Sequence, residues 1–207
     1  MSRPVRLRWL AGVPLVLLWL VPAGAAAQTP PTSAPDPAAG SLWLRGGFLS
    51  TTFLGDCTDC EGAQYRSTGS LMAGVGWALN PRTDLGAEFL WVKSQATESD
   101  RIRVSFLLGS VQFRPWRTRG FFVKAGAGMA FVHNWILQLE GEDPSFRSKA
   151  FALDLTAGWE WRFSRHFGAE VLAGQQVAAL GDLATSVRTV ENVMANFWSV
   201  GAAVVIR

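Results

Sequence analysis

One eleven-residue segment, from 153 to 163, restricts the folds open to this chain more than any other feature. Apolar and polar residues alternate along it almost without exception. Successive residues of a β-strand point to opposite faces, so the segment predicts a strand with one apolar face and one polar, partly charged face. The apolar face carries Leu153, Leu155, Ala157, Trp159, Trp161 and Phe163, and the polar face carries Asp154, Thr156, Gly158, Glu160 and Arg162.

The N-terminal 27 residues have the composition of a secretory signal peptide. Three arginines precede an apolar run over residues 9–21, and residues 25–27 are alanines that suit cleavage. The run is short for a membrane-spanning helix, and Pro14 lies within it. We therefore expect residues 1–27 to be removed on export. Residues 28–40, which include four prolines, predict a flexible lead segment.

The charge balance argues against nucleic acid as a partner. The whole chain has 19 basic and 16 acidic residues, and loss of the three signal-peptide arginines leaves 16 of each. The only lysines are Lys93, Lys124 and Lys149, which is few for the surface of a soluble domain of this size. Only helices and closed barrels satisfy their backbone in a bilayer. Low charge without a second long apolar run therefore favours a barrel whose outer wall meets lipid.

The alternation recurs through residues 41–207 and predicts one all-β domain, a closed antiparallel up-and-down transmembrane β-barrel of about eight strands. Tight links follow the second, fourth and sixth predicted strands, and longer polar links follow the first, fifth and seventh. This asymmetry is typical of outer-membrane barrels, whose short turns face the periplasm. The predicted strands cover about residues 42–53, 65–79, 84–96, 101–114, 120–134, 148–163, 167–179 and 192–207.

In the fourth predicted strand, the apolar residues do not all fall on one face. Ile102, Val104 and Phe106 share one face, whereas Leu107 and the alternate residues up to Phe113 share the other. If every apolar residue faces lipid, a β-bulge is needed near Phe106 or Leu107. Alternatively, the first part of the strand lies beyond the lipid.

Aromatic residues collect near both predicted edges of the lipid-facing band. Aromatic rings with a polar edge favour the membrane–water interface, because the apolar body of the side chain can contact lipid while its polar edge is hydrated. The residues that we assign to these interface belts are Trp77, Trp91, Trp116, Phe121, Trp161, Phe163 and Phe167.

In strand number, alternation and turn asymmetry, residues 41–207 resemble the small eight-stranded outer-membrane barrels of the OmpA transmembrane-domain and OmpX/Ail type. The resemblance implies a non-enzymatic protein that supports envelope integrity and presents extracellular loops, without a cofactor. It implies a lipid bilayer with lipopolysaccharide as surroundings and the barrel-assembly machinery as a partner. Such barrels often end in an aromatic residue, whereas this chain ends in Ile206 and Arg207.

Several charged residues occupy the alternate strand positions that are predicted to face the barrel interior. Lone charges in a narrow lumen are costly, so they must pair or stay hydrated. The resemblance implies interior salt bridges that close the barrel or partly gate it. An eight-stranded barrel is filled by its own side chains, which favours a packing and solvation network over a gated ion path. The predicted network contains Glu88, Lys124, Asp154, Glu160, Arg162 and Glu170, with Arg45, Arg66 or Arg114 as further cations.

Cys57 and Cys60 form a CxxC in the first predicted external loop. The chain has no second CxxC, and the surrounding pattern is not βαβ, so neither a zinc site nor a redox motif is indicated. In an exported protein, a local disulfide that stiffens the loop is the expected arrangement. The flanking acidic residues Asp56, Asp59 and Glu61 give a weak cation signal.

The two histidines do not predict an enzyme. His133 lacks the serine two residues further on that a lipid A deacylase pattern requires, and His166 lies in a tight turn where a solvated side chain is usual. We predict no catalytic residue, no metal ligand and no cofactor.

Three alternative functions stay open at this stage. A loop-mediated adhesion or binding protein would use residues 53–64, 135–147 and 180–191, and a narrow gated pore would use the interior charges. A soluble periplasmic lipocalin-like barrel with an apolar ligand requires the opposite orientation of the strands. In that case Leu155 and Trp159 would lie inside and Glu160 outside.

Overall fold

Eight antiparallel strands form a closed barrel in the computed structural model, which describes residues 39–56, 67–95, 101–116, 120–135, 148–184 and 189–207. Each strand pairs with its neighbours in chain order, and the last pairs with the first, so the predicted fold class is confirmed. Within these ranges no helix has the length and apolar character needed to cross a membrane. The strands are β1 (Leu42–Asp56), β2 (Ser67–Asn80), β3 (Thr83–Gln95), β4 (Arg101–Phe113), β5 (Phe121–Trp135), β6 (Ser148–Arg162), β7 (Phe167–Ala184) and β8 (Thr189–Ile206).

The strands are strongly staggered around the barrel. A path that starts at Leu42 and crosses each hydrogen-bonded pair in turn returns to β1 at Thr52, ten residues further along the strand. For eight strands this stagger corresponds to a tilt of about 40° from the barrel axis. The resulting lumen is narrow enough for side chains to fill it. We call the end with the links after β2, β4 and β6 the turn side and the opposite end the loop side.

The apolar face of each strand lies on the outer wall. On β6, Leu155 is 61% exposed and Trp159 is exposed, whereas Glu160 is only 4% exposed. Alternate apolar residues likewise lie on the outer wall in β2, β3, β5, β7 and β8. The lipocalin-like alternative requires the inverse arrangement and is therefore wrong.

The structure corrects the interpretation of β4. The strand keeps one parity throughout, with Val104, Phe106 and Leu108 buried in the lumen and Leu107 outside. Its pairing with β3 and β5 is unbroken at Phe106 and Leu107, so the predicted bulge there is wrong. The register instead shifts between Arg103 and Val104, where β5 contains one additional residue. The expectation failed because it placed every apolar side chain against lipid.

The last connection on the loop side is shorter than the sequence indicated. Residues 180–191 were expected to form a loop, but β7 continues to Ala184 and β8 begins at Thr189. Ala184 pairs with Thr189 and Leu183 with Val190, after two shifts of register. Backbone pairing in the hairpin therefore overrides the polar composition that suggested a longer loop.

Two glycines make room for a tryptophan inside the barrel. Trp43 on β1 is fully buried and lies over β2 and β3 at Gly76 and Gly86. A Cβ atom at Gly86 would lie 2.7 Å from Cη2 of Trp43 and nearer still to Cζ2. Any side chain at this position would displace the ring.

We expect Gly86→Ala to destabilise the folded barrel by about 1–3 kcal/mol, because the added methyl group overpacks the lumen against Trp43. Urea unfolding in lipid vesicles, followed by tryptophan fluorescence, measures the change. Gly109→Ala is the matched control, since a Cβ there would lie 3.8 Å from the nearest atom, the carbonyl oxygen of Ala127. Equal unfolding midpoints for the two variants would contradict the packing argument.

Candidate functional site

Five charged side chains meet in the lumen at the turn side, and we call them the turn-side ion cluster. Arg114 places Nη2 2.8 Å from Oδ2 of Asp84 and 2.9 Å from Oε2 of Glu160. Nη2 of Arg207 lies 3.3 Å from the same two oxygen atoms. Nε of Arg162 donates to Oε1 of Glu160 at 3.0 Å. The cluster therefore joins the end of β8 to β3, β6 and the link after β4.

A second group of charges, the mid-barrel ion cluster, is centred on Arg45. Nη1 of Arg45 lies 2.8 Å from Oε1 of Glu88, and its Nε lies 2.9 Å from Oε2 of Glu170. Lys124 pairs with the other oxygen of Glu88 and lies 3.7 Å from Oδ2 of Asp154. All five side chains are buried, so their mutual pairing replaces the hydration that they lose.

Aromatic rings and an amide complete the surroundings of Arg45. Its guanidinium carbon lies 5.0 Å from the ring centroid of Trp43 and 5.9 Å from that of Phe122, within the range of cation–π attraction. Nη2 donates to Oε1 of Gln112 at 2.5 Å and to Glu170 at 3.1 Å. Arg45 is thus held by contacts from several strands at once.

The charges of the two clusters balance. Within the described ranges, five buried or half-buried basic side chains meet five buried carboxylates in the lumen. Their formal sum is zero, which is what a poorly hydrated interior requires. The bases are Arg45, Arg114, Lys124, Arg162 and Arg207, and the acids are Asp84, Glu88, Asp154, Glu160 and Glu170.

A chain of neutral polar side chains extends the mid-barrel cluster toward the loop side. Nε2 of Gln176 donates to Oδ1 of Asp154 at 2.7 Å, and the hydroxyl of Ser199 donates to Gln176 at 2.9 Å. Ser199 lies 3.1 Å from the hydroxyl of Thr51, which accepts from Ser70 at 2.8 Å. These contacts cross β6, β7, β8, β1 and β2 on one side of the lumen.

Apolar side chains fill the rest of the loop-side lumen, and we call this filling the loop-side apolar layer. Phe106 is 0% exposed, and its ring centroid lies 5.2 Å from that of Phe197 in an edge-to-face arrangement. The Phe197 ring also lies 5.0 Å from that of Phe53. The other large members of the layer are Leu49, Met72, Leu90, Val92, Val104, Leu108 and Val132.

The structure brings the predicted interior residues together in these two clusters. Arg45 and Arg114 lie in the lumen, and Arg66 lies outside the described residues, as do Cys57 and Cys60. Nδ1 of His166 lies 3.0 Å from the carbonyl oxygen of Arg207 in an exposed turn. Among the described residues no group of His, Cys, Asp and Glu is arranged to hold a metal ion.

The aromatic residues assigned to the interface belts lie on the outer wall or next to it. Trp116 and Phe121 contact each other at the turn side, with ring centroids 5.6 Å apart. Phe121 is half-buried, and the other six are exposed, namely Trp77, Trp91, Trp116, Trp161, Phe163 and Phe167.

Sequence reasoning did not include three polar residues of the clusters. Asp84 had the interior parity of β3 but was not added to the network, and Gln112 shares a face with Ser110 and Arg114. Arg207 continues the inward-facing alternation of β8, and this alternation is the signal that could have identified it. Which of these side chains touch across the lumen depends on the stagger of the strands, which local alternation does not reveal.

Comparison with known proteins supports the fold at low sequence identity. No protein-family model matches the sequence, and no curated protein matches it. The crystal structure of Neisserial surface protein A is similar, with 12% identity, a TM-score of 0.54, and coverage of 80% of this chain and 96% of that one. The structure of Ail, the attachment invasion locus protein of Yersinia pestis, has 12% identity and a TM-score of 0.54, covering 81% and 99% of the respective chains. This chain therefore has the fold of the small eight-stranded outer-membrane barrels.

We expect Arg45→Met to destabilise the barrel by about 3–5 kcal/mol, because the change leaves the buried carboxylate of Glu170 without its cation. Glu88 keeps Lys124 in this variant. The double variant Arg45→Met with Glu170→Gln should recover part of the loss. Urea unfolding of the wild type, of Arg45→Met, of Glu170→Gln and of the double variant in vesicles measures the coupling.

Arg162→Met is the matched control for this cycle. Its guanidinium is partly exposed and pairs with Glu160, which retains Arg114 and Arg207. The expected loss is below about 1 kcal/mol. A loss as large as that of Arg45→Met would mean that the replaced volume, and not the buried charge, determines stability.

Proposed function

We propose that the protein is a non-enzymatic outer-membrane barrel that supports envelope integrity and presents its loop-side connections to the outside, with a closed lumen. The observation that supports this proposal is the lumen itself, which is filled by balanced ion clusters and an apolar layer. The outward apolar wall and the exposed aromatic residues at its edges agree with a position in a bilayer. Export through a cleaved signal peptide is part of the proposal.

Fractionation of the cell envelope tests the location. We expect the chain in the outer-membrane fraction, with an electrophoretic mobility that changes when the sample is boiled in detergent, because a closed barrel resists unfolding. N-terminal sequencing of the same band should begin near residue 28. Recovery of the chain in the soluble periplasm would refute the proposed location.

Deletion of the gene tests the role in envelope integrity. The deletion strain should become more sensitive to bile salts, and the wild-type chain should restore resistance. The same resistance from a chain with the residues between β5 and β6 replaced by a Gly-Ser linker would show that the barrel alone is sufficient. Failure of the wild-type chain to restore resistance would refute the proposed role.

The apolar layer argues against an ion path that is permanently open through the lumen. Phe197 packs against both Phe53 and Phe106 on the loop side of the lumen, and the rings of Phe106 and Phe197 are fully buried. Ions would have to pass this layer before they reach the mid-barrel cluster. We therefore place the main permeability barrier at these rings.

We expect the wild-type chain to show no steady conductance in planar bilayers and Phe106→Ala with Phe197→Ala to show an ion leak. Removal of both rings gives water access to the polar chain at Gln176 and Ser199. The control is Phe167→Ala, which shortens an exposed aromatic side chain on the outer wall. An unchanged, closed lumen in the double variant would assign the barrier to the ion clusters.

A loop-mediated binding function is the second candidate, and the extent of the last hairpin favours it. β7 and β8 each have 18 residues, compared with 13 in β3 and β4, so their pairing carries the hairpin further toward the loop side. Replacement of residues 185–188 should abolish surface binding of a host-derived ligand while barrel assembly survives. Unchanged binding would exclude this hairpin as the site.

A further inference from the structure

The charged side chains of the barrel are sorted by sign between the lumen and the outer wall. Among residues with a described side chain, every Asp and Glu is buried in the lumen. The exposed charged residues of the same ranges are all basic. They are Lys93, Arg103 and Lys149 at the loop side, and Arg82 and Arg165 at the turn side.

The three loop-side cations form a patch on β3, β4 and β6, which we call the loop-side basic patch. Lys93 and Arg103 are direct partners across the β3–β4 pair. Side chains in this position have Cβ atoms about 4.5–5.5 Å apart, and like charges there repel each other. Among the described residues no carboxylate is paired with either of them. A bound anion would remove this repulsion.

Next to the patch, on the side away from the loops, the outer wall is apolar and largely aromatic. Trp91, which is 37% exposed, lies two residues from Lys93 on the same face of β3, and Phe151 has the same relation to Lys149 on β6. Phe131 on β5 is the direct partner of Lys149. The cations thus stand at the end of the wall, where a headgroup would meet the protein if its acyl chains lay against the rings.

Among the residues whose side chains the structure describes, the opposite side of the barrel carries no such patch. The outward polar side chains toward the loop side of β7 and β8 include Gln175 and Asn196, and Nε2 of Gln175 donates to Oδ1 of Asn196 at 2.7 Å. On β1 the outward residues at this end are the neutral Ser50 and Thr52. The described positive charge at the loop side is therefore concentrated on one side of the barrel. A general attraction to the membrane surface would not require this asymmetry.

We propose that the loop-side basic patch binds a phosphate of lipopolysaccharide, with Lys93 and Arg103 holding the phosphate and the acyl chains lying on Trp91 and the neighbouring outer wall. The inference rests on the proposed function, because it requires the loop side to face the outer leaflet. Two cations on adjacent strands donate charge-assisted hydrogen bonds to one phosphate. Lys149, two strands from Arg103, contacts a second anionic group of the same lipid.

Native mass spectrometry of the full chain in detergent micelles, titrated with diphosphorylated lipid A, tests the proposal. We expect Lys93→Gln with Arg103→Gln to weaken binding about thirtyfold, from the usual contribution of two basic residues near an anionic headgroup. The matched control is Arg82→Gln with Arg165→Gln, which removes two exposed positive charges at the turn side. This control should change the affinity by less than about twofold. Boiling-dependent mobility establishes that each variant is folded.

Three results would overturn the proposal. The first is equal weakening in both double variants, which would indicate general electrostatic attraction. The second is binding of dephosphorylated lipid A to the wild type as tight as that of the diphosphorylated form, which would assign the affinity to the apolar wall. The third is displacement of lipid A by an equal concentration of inorganic phosphate, which would indicate a site for a free anion. Recovery of the chain outside the outer membrane would refute the proposed function separately, whatever its affinity for lipid A in micelles.

Discussion

A strand edge inside a bilayer has no water with which to form hydrogen bonds, so the pairing of β8 with β1 is the contact on which the rest of this molecule depends. That pairing extends from Leu44 with Ile206 to Asp56 with Met194. It closes the sheet at a stagger of ten residues and thereby sets the strand tilt and the width of the lumen. The narrow lumen leaves little room for water, and each inward side chain must therefore find its partners among the other inward side chains.

The lumen satisfies this requirement differently along its length. Toward the turn side, balanced charges pair across the barrel, and Arg45 and Arg114 each join carboxylates from two strands. Toward the loop side, aromatic and aliphatic residues pack around Phe106 and Phe197, beside a row of hydroxyl and amide groups. Buried ion pairs are costly to form but even costlier to break, because the remaining charge has no solvent. Both parts therefore keep the lumen closed. Paired charges do so toward the turn side, and packed apolar side chains that exclude water do so toward the loop side.

The fold was predictable from the sequence because a period of two is a local property, visible within one segment such as residues 153–163. The same rule placed Glu88, Lys124 and Glu170 in the interior. The error at β4 has a physical cause, since apolar residues at Val104 and Phe106 can be stabilised by an apolar lumen as well as by lipid. The ion pairs themselves could not be predicted from local sequence patterns. Contact between Asp84 and Arg207 brings together residues 123 positions apart and depends on the stagger of the closed sheet.

The distribution of charge follows the solvent that each part of the chain meets. Five of the 16 carboxylate residues have described side chains, and all five lie in the lumen. Of the other eleven, all but Asp36 lie in the loop-side connections or within three residues of them in the sequence. No carboxylate with a described side chain lies on the outer wall. The exposed bases instead occupy both ends of that wall, where long side chains reach the interface and where phosphate groups of lipids are concentrated. In the proposed orientation, a carboxylate at the position of Lys93 would meet those phosphates with the same sign of charge. The preference for bases there would then follow from the membrane and not from the needs of the fold.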